Sequence, residues 1–428
     1  MRTVKELTKK MKDSGIEWIG EIPEDWEIVQ MRYLANITTG NKDTVDAEID
    51  GKYPFFIRSK NIRRINSYSY DGEGILTAGD GDIGEIFHYI NGKVDFHQRV
   101  YLFYKFKKIS GKLLYFNLKS NLKKHISFFN AKTTVDSLRL PWLKEFPIPL
   151  PPQSQQKEIA DFLDKKTQEI DNIISKTKKA IEEYKKYKQS LITETITKGL
   201  DENVEMKDSG IEWVGEIPEH WDTIKFKDLF KFGSGLTITK SDLLDEGIKV
   251  INYGEIHSKY KFDLDINRDE LKCVDKSYLE NRKNALINKG DFVFCDTSED
   301  REGSGNCIVL RENNDELIFA GSHTVTARLT RNENPIYIRY MIMASSIKEQ
   351  ISSTVVGIKV YSITQAILKT IIGVIPPLKE QEQIASYLDE KTNQIDQIIS
   401  TKEKLLTEME AYKKSLIYET VTGKREVE

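Results

Sequence analysis

The sequence is poor in cysteine. Only Cys273, Cys295 and Cys307 occur in 428 residues, an odd count with no CxxC pair. Neither a disulfide framework nor a structural zinc site is expected. No run of about 18 apolar residues is present, so no segment is expected to span a membrane. The N-terminal stretch MRTVKELTKKMKDSG lacks the apolar centre of a secretory signal, and the cytoplasm is the expected compartment. The six histidines show no HxH or HxxxH pairing, so no metal site is expected. Nor does one charge dominate: 64 Lys and Arg face 67 Asp and Glu, a net −3. That balance speaks against a nucleic-acid binder only if the charge is spread evenly.

What the chain does have is repetition, which decides architecture before anything else. Residues 11–26, MKDSGIEWIGEIPEDW, return as MKDSGIEWVGEIPEHW at 206–221, with only Ile19/Val214 and Asp25/His220 changed. PPQSQQKEIADFLDKKTQEIDNIIS at 151–175 returns as PPLKEQEQIASYLDEKTNQIDQIIS at 376–400. The order is short block, variable segment, long block, and then the same again. The variable segments run from about 27 to 150 and from about 222 to 375. Near-identical frames thus hold two strongly diverged inserts, as expected of one frame built to read two different things.

The long blocks predict helices. Ile159, Leu163, Ile170, Ile174 and Ile181 form an apolar stripe at spacings close to a heptad, and Ile384, Leu388, Ile395, Ile399 and Leu406 form another. At 1.5 Å per residue each helix would be roughly 65 Å long. A single amphipathic helix of that length needs a partner. The simplest is the other copy, antiparallel about a pseudo-two-fold axis with the inserts at opposite ends. Packing on separate domains or between chains remains open. The inserts read as mixed α/β, with strands at Tyr53–Ile57, Ile86–Tyr89, Val100–Phe106, Phe292–Cys295, Cys307–Leu310 and Thr324–Leu329. Helical pieces are expected near Lys112–Ser120 and Ile336–Ser346.

Charge divides unevenly. Residues 27–150 carry 19 Lys/Arg and 13 Asp/Glu, a net +6, whereas 222–375 carry 21 and 22. The acidic excess lies mainly in the repeated frame. The basic insert concentrates Arg58, Lys60, Asn61, Arg63 and Arg64 in one stretch, beside aromatics. Arg and Lys suit phosphates or guanine edges, and Asn suits adenine. The corresponding stretch of the second insert offers Asn252, Tyr253, His257, Lys259, Tyr260 and Lys261. Further on, His97, Gln98 and Arg99 align with Ser322, His323 and Thr324, and Lys132 and Thr133 align with the stretch ending at Lys359. Any one cluster also fits an ordinary charged surface. Polar residues at matching places with different identities point to DNA contact.

Several catalytic look-alikes are weak. Gly79-Asp80-Gly81-Asp82-Ile83-Gly84 fits GxGxxG by letter, but its aspartates would repel a pyrophosphate, so it reads as a turn. Asn334-Pro335-Ile336-Tyr337 resembles the Asn-Pro-Pro-Tyr of adenine methyltransferases with a wrong third position. Lys289, Asp291 and Asp296 loosely suggest a nuclease site, yet their spacing is poor. Trp18, Trp26, Trp213 and Trp221 sit in the repeated frame and read as core anchors. No catalytic residue is expected. A self-contained methyltransferase or nuclease would need a motif that is missing, and a coiled-coil scaffold for protein partners is the other open reading.

SGIEWIGEIPEDW with its copy, and the entries IPLPPQSQQKEIADFLD and VIPPLKEQEQIASYLD, resemble the specificity subunits of type I restriction–modification enzymes across nearly the whole chain. Gly290-Asp291-Phe292-Val293 fits the Gly-Asp strand start of such target domains. The resemblance implies an α+β fold: two pseudo-symmetric α/β target-recognition domains separated by an antiparallel coiled coil of long helices. The implied divisions are 1–150, 151–200, 201–375 and 376–428. It also implies a non-catalytic reader of double-stranded DNA, each domain taking one half of a split, asymmetric site. Two methyltransferase subunits would dock on the helices, joined by motor–nuclease restriction subunits. This chain would hold no cofactor; S-adenosylmethionine, ATP and magnesium would belong to the partners. The weakly charged second insert departs from expectation, and flanking subunits would have to supply phosphate contacts there.

Overall fold

The computed structural model describes residues 10–130, 137–260, 263–299, 303, 305–354 and 361–427. The chain forms two compact units, residues 1–179 with 403–428, and residues 180–402. Each unit contains one insert and parts of both long helices, Gln153–Lys198 and Leu378–Val421.

In the first unit the repeated block folds as a hairpin, Met11–Asp13 against Glu21–Pro23, that buries Ile19, Ile22 and Trp26. Glu27–Gln30 then pairs antiparallel with Pro147–Leu150, so the insert enters and leaves through one two-stranded ribbon. Between them lies a six-stranded sheet in the order 36–39, 100–104, 70–78, 87–96, 53–56, 63–65. The helix Gly111–Asn130 buries Leu113, Leu114, Leu118 and Leu122 in the same core as the hairpin. That core also takes Ile159, Leu163 and Ile170 from one long helix and Leu416, Ile417 and Val421 from the other. The two helix segments run antiparallel, since Lys413 Nζ meets Asp171 at 2.5 Å and Lys178 meets Glu410 at 3.6 Å.

The second unit repeats this plan with the hairpin Met206–Asp208/Glu216–Pro218 and the ribbon Asp222–Lys225/Ile372–Ile375. Its sheet is split. One sheet has five strands, in the order 230–234, 324–329, 292–295, 307–312, 263–265, and the other has four, 272–274, 248–251, 318–320, 286–287. The first unit's single strand Phe87–Phe96 corresponds to two strands here, Cys307–Glu312 and Ile318–Ala320. A turn through Asn314 and Asp315, both with positive φ, interrupts them. The expected helix near Ile336–Ser346 is likewise broken, because Ala344 takes extended backbone between Pro335–Met343 and Ser345–Thr354. Ile384 and Leu388 pack in one core with Ile192 and Ile196. Here too the helix segments run antiparallel: Lys188 Nζ meets Asp396 at 2.6 Å, and Lys402 lies over the Tyr184 ring.

Of the ten stripe residues, Ile174 and Leu406 are half-buried and the other eight are buried. Leu163 and Leu388 lie in cores shared with the insert rather than in a bare two-helix seam. At these matching helix positions the neighbouring carboxylates differ sharply. Asp389 accepts from Arg339 Nη2 at 2.6 Å, Arg311 Nη2 at 2.5 Å and the Tyr340 hydroxyl at 2.7 Å. Asp263 takes Arg339 Nη1 at 2.8 Å and Arg268 Nη2 at 2.9 Å. The matching carboxylate of the first unit, Asp164, meets Lys112 in an exposed pair.

Candidate nucleic-acid interface

Three strand ends of the first unit converge. Arg58 follows the strand Tyr53–Phe56, Asp80 follows Tyr70–Ala78, and Arg99 precedes Val100–Tyr104. Backbone bonds fix the junction: His97 N donates to Phe56 O at 2.9 Å, and Gly79 N donates to Arg99 O at 2.8 Å. The Asp80 carboxylate then accepts from Arg58 Nη1 at 2.9 Å and from Arg99 Nη1 at 2.8 Å. Asp80 is largely covered at 16% side-chain exposure, whereas Arg58 and Arg99 stand 41% and 63% exposed. Burial pushes the Asp80 carboxyl up, but the Arg99 and Arg58 guanidiniums outweigh it and hold the group below the usual carboxylate range. Asp80 is therefore ionised at neutral pH, and the cluster keeps one net positive charge.

The flanking residues divide into those that project and those that are held. Lys60, Asn61 and Gln98 are exposed, and Gln98 Nε2 donates to Asp43 Oδ2 at 2.8 Å. His97 is buried, its Nδ1 accepting from Arg99 N at 2.9 Å and so fixing the turn before Arg99. Arg63 is exposed, with a long bond to Thr44 O. Arg64 spends its guanidinium on Gly51 O and Lys52 O, both at 2.9 Å, and stitches the sheet edge.

The same junction recurs in the second unit. Gly321 N donates to Ile251 O at 2.8 Å, and Asp296 N donates to His323 O at 3.1 Å. Leu138 N to Gly79 O in the first unit is matched by Ile363 N to Asp296 O in the second. By these bonds Tyr253 stands where Arg58 stands, Thr297 where Asp80 stands, and His323 where Arg99 stands, one residue earlier than the sequence alignment of Arg99 with Thr324. Tyr253 is 42% exposed and meets the His323 ring edge-on at 5.2 Å between centroids. His323, with φ 56°, places Nδ1 3.3 Å from Asp296 Oδ1. The same correspondence puts the extra residues of the second insert almost wholly between Ile251 and Gly321.

Other second-unit candidates are engaged internally. His257 Nδ1 accepts from Asn306 Nδ2 at 3.1 Å, which leaves its Nε2–H to donate to Thr297 O at 2.9 Å. Asn252 forms a capping box with Glu255 at the start of the helix Tyr253–Ser258. Lys259 donates to Glu270 O, as does the Tyr260 hydroxyl, and the Tyr260 ring is buried in the core. Ser322 bonds Leu236 O and Ile238 O, and buried Thr324 bonds Gly321 O. Their polar atoms stabilise the junction rather than face solvent. Lys132, Thr133, Lys261 and Lys359 lie outside the described residues.

The catalytic look-alikes have structural roles. Asn334 caps its helix, accepting from Ile336 N at 2.9 Å and Tyr337 N at 3.1 Å, while buried Tyr337 donates to Val374 O. Asp291 is clamped by Arg328 Nε at 2.9 Å, and Lys289 pairs with Glu312 instead. The Gly79–Gly84 segment is the turn after the strand Tyr70–Ala78, with Gly81 and Gly84 at positive φ. Trp26 and Trp221 are buried, whereas Trp213 is 42% exposed. Among the described residues no group of His, Cys, Asp or Glu is arranged to hold a metal, and no helix is long and apolar enough to cross a membrane. The residue that sequence reasoning missed is Asp80, dismissed with its turn although it organises both arginines.

The chain is 27% identical over 421 residues to the type I restriction enzyme MjaVIII specificity subunit of Methanocaldococcus jannaschii, covering 94% of this chain and 93% of that one. It is 26% identical to the putative MjaX specificity subunit of the same organism, over 95% of both chains. Among solved structures, one from a study of complex assembly and conformational transition of the type I R-M system superposes with a TM-score of 0.70 at 11% identity, covering 94% of this chain and 99% of that one. The HsdS subunit of Thermoanaerobacter tengcongensis gives 0.50 at 12% identity, over 94% and 98% of the chains. The family model for the type I restriction modification DNA specificity domain matches twice, at residues 23–183 and 218–408, and the chain belongs to that family.

Proposed function

We propose that this chain is the non-catalytic DNA reader of a type I restriction–modification complex, with residues 27–150 reading one half of a split site and residues 222–375 the other. The observation that carries this reading is the shared junction. The same backbone bonds present Arg58, Asp80 and Arg99 in one insert and Tyr253, Thr297 and His323 in the other. Base edges are distinguished by donor and acceptor pattern, so unlike side chains at one docking position read unlike bases. The half-sites therefore differ and the whole site is not a palindrome. The long helices, the first of them 46 residues and so roughly 70 Å, set the interval between half-sites and dock two methyltransferase subunits. Those subunits bind S-adenosylmethionine and modify adenine, while separate restriction subunits use ATP and magnesium to translocate and cut. The assembly works in the cytoplasm.

The test is co-expression with candidate methyltransferase subunits followed by sequencing of methylated bases. A split, asymmetric site methylated at adenine is expected only when both components are present. Methylation by this chain alone, or no methylation in any combination, contradicts the reading.

A further inference from the structure

Resting on that reading, we propose that the Arg58–Asp80–Arg99 cluster reads guanine, so that the half-site taken by residues 27–150 contains a G·C pair at a fixed position. The alternative use of two exposed arginines is a phosphate clamp, and Asp80 argues against it. A carboxylate 2.8–2.9 Å from both guanidiniums cancels about half of their attraction for a phosphate and repels the phosphate itself. What the carboxylate supplies is direction. Each arginine is anchored through Nη1, and among the described residues neither guanidinium takes a second partner. Their remaining N–H donors form rigid edges facing solvent. A rigid two-donor edge matches the O6 and N7 acceptors of guanine in the major groove. Adenine presents a donor beside its N7, cytosine presents a donor, and thymine has one acceptor beside a methyl group.

The surroundings are built for the same purpose. Arg99 is held at its own backbone by buried His97, Arg58 leaves the end of a paired strand, and Asp80 sits between Gly79 and Gly81 in a tight turn. All three sides of the fork are thus fixed by backbone, which a merely electrostatic patch does not require. The second unit has neither arginine nor lysine at either equivalent position, so its half-site carries no matching demand for guanine from this corner. Asp80 is accordingly a positioning residue and the two arginines are the readers.

The test uses the full chain assembled with its methyltransferase subunits. Methylated sites are mapped for the wild type, Asp80→Asn and Arg99→Lys, and the same complexes are titrated on duplexes that differ at single base pairs. In the wild type one half-site should contain an invariant G·C pair. Asp80→Asn should lower discrimination at that pair by about 10–100-fold while leaving the other half-site intact and binding to unrelated DNA equal or stronger. Arg99→Lys keeps the charge at an exposed position and should lose the same discrimination. A half-site pair that both lack G·C, or variants that both keep wild-type discrimination, overturns the proposal and leaves the DNA-reading conclusion standing. A wild-type complex with no sequence-specific site overturns both.

Discussion

At the strand junction the two recognition regions keep the same backbone bonds and exchange nearly everything that faces solvent. Arg58, Asp80 and Arg99 make a charged fork; Tyr253, Thr297 and His323 make a corner of two edge-packed rings. The frame beneath is held by residues that scarcely change, such as Ile22/Ile217 and Trp26/Trp221, which are almost wholly buried. Buried positions fill a fixed volume, so substitution there costs stability. Exposed positions on a fixed backbone are free to vary without that cost. A second contrast runs along the helices. Asp164 and Asp389 occupy matching places in ADFLDKK and ASYLDEK, yet one joins a single exposed lysine and the other two arginines and a tyrosine.

Exchanging residues 222–375 for the corresponding segment of another family member should replace one half of the methylated site completely and leave the other half unchanged. Altered bases in both halves would show that the regions do not read independently. Next in size, Asp389→Ala removes one of the two carboxylates, the other being Asp263, that hold Arg311 and Arg339, and should cost about 2 kcal/mol in chemical denaturation. Burial pushes the Asp389 carboxyl up, but the Tyr340 hydroxyl and the Arg339 and Arg311 guanidiniums hold it below the usual range. Its stabilisation is therefore complete above about pH 5 and is lost as pH falls through about 3.9 and below. The variant should show less acid sensitivity than the wild type over that window. Smallest, Asp164→Ala should cost under about 1 kcal/mol, because its pair with Lys112 is nearly half exposed on both sides. Equal losses in the two variants would mean that the two junctions are energetically alike.

Much of this architecture is legible in the sequence because it is written locally. The apolar stripe from Ile159 to Ile181 lies within one helix, and the repeated hairpin is one continuous 16-residue string. The junction is not local. Arg58 and Arg99 reach Asp80 across 22 and 19 residues, and Arg311 reaches Asp389 across 78, through strands whose register the letters do not state. A turn motif rich in glycine and aspartate was readable as a turn, but not as the anchor of two arginines. Tyr260 fails for the opposite reason. An aromatic between two lysines looks like a stacking platform, whereas the fold turns its ring into the core and leaves only the hydroxyl to bond Glu270 O.

The second unit is a continuous stretch of polypeptide, whereas the first is closed by residues 403–428. Leu416, Ile417 and Val421 fill its core, and Lys424 Nζ and the Tyr418 hydroxyl donate to the Ile19 carbonyl of the opening hairpin. During synthesis at about 5–20 residues per second, the region translated first must wait tens of seconds for its final pieces. Until then Leu163 and Trp26 lack part of their cover, although the later-made unit has everything it needs. Order of translation and order of completion are reversed: the core begun first is the one closed last.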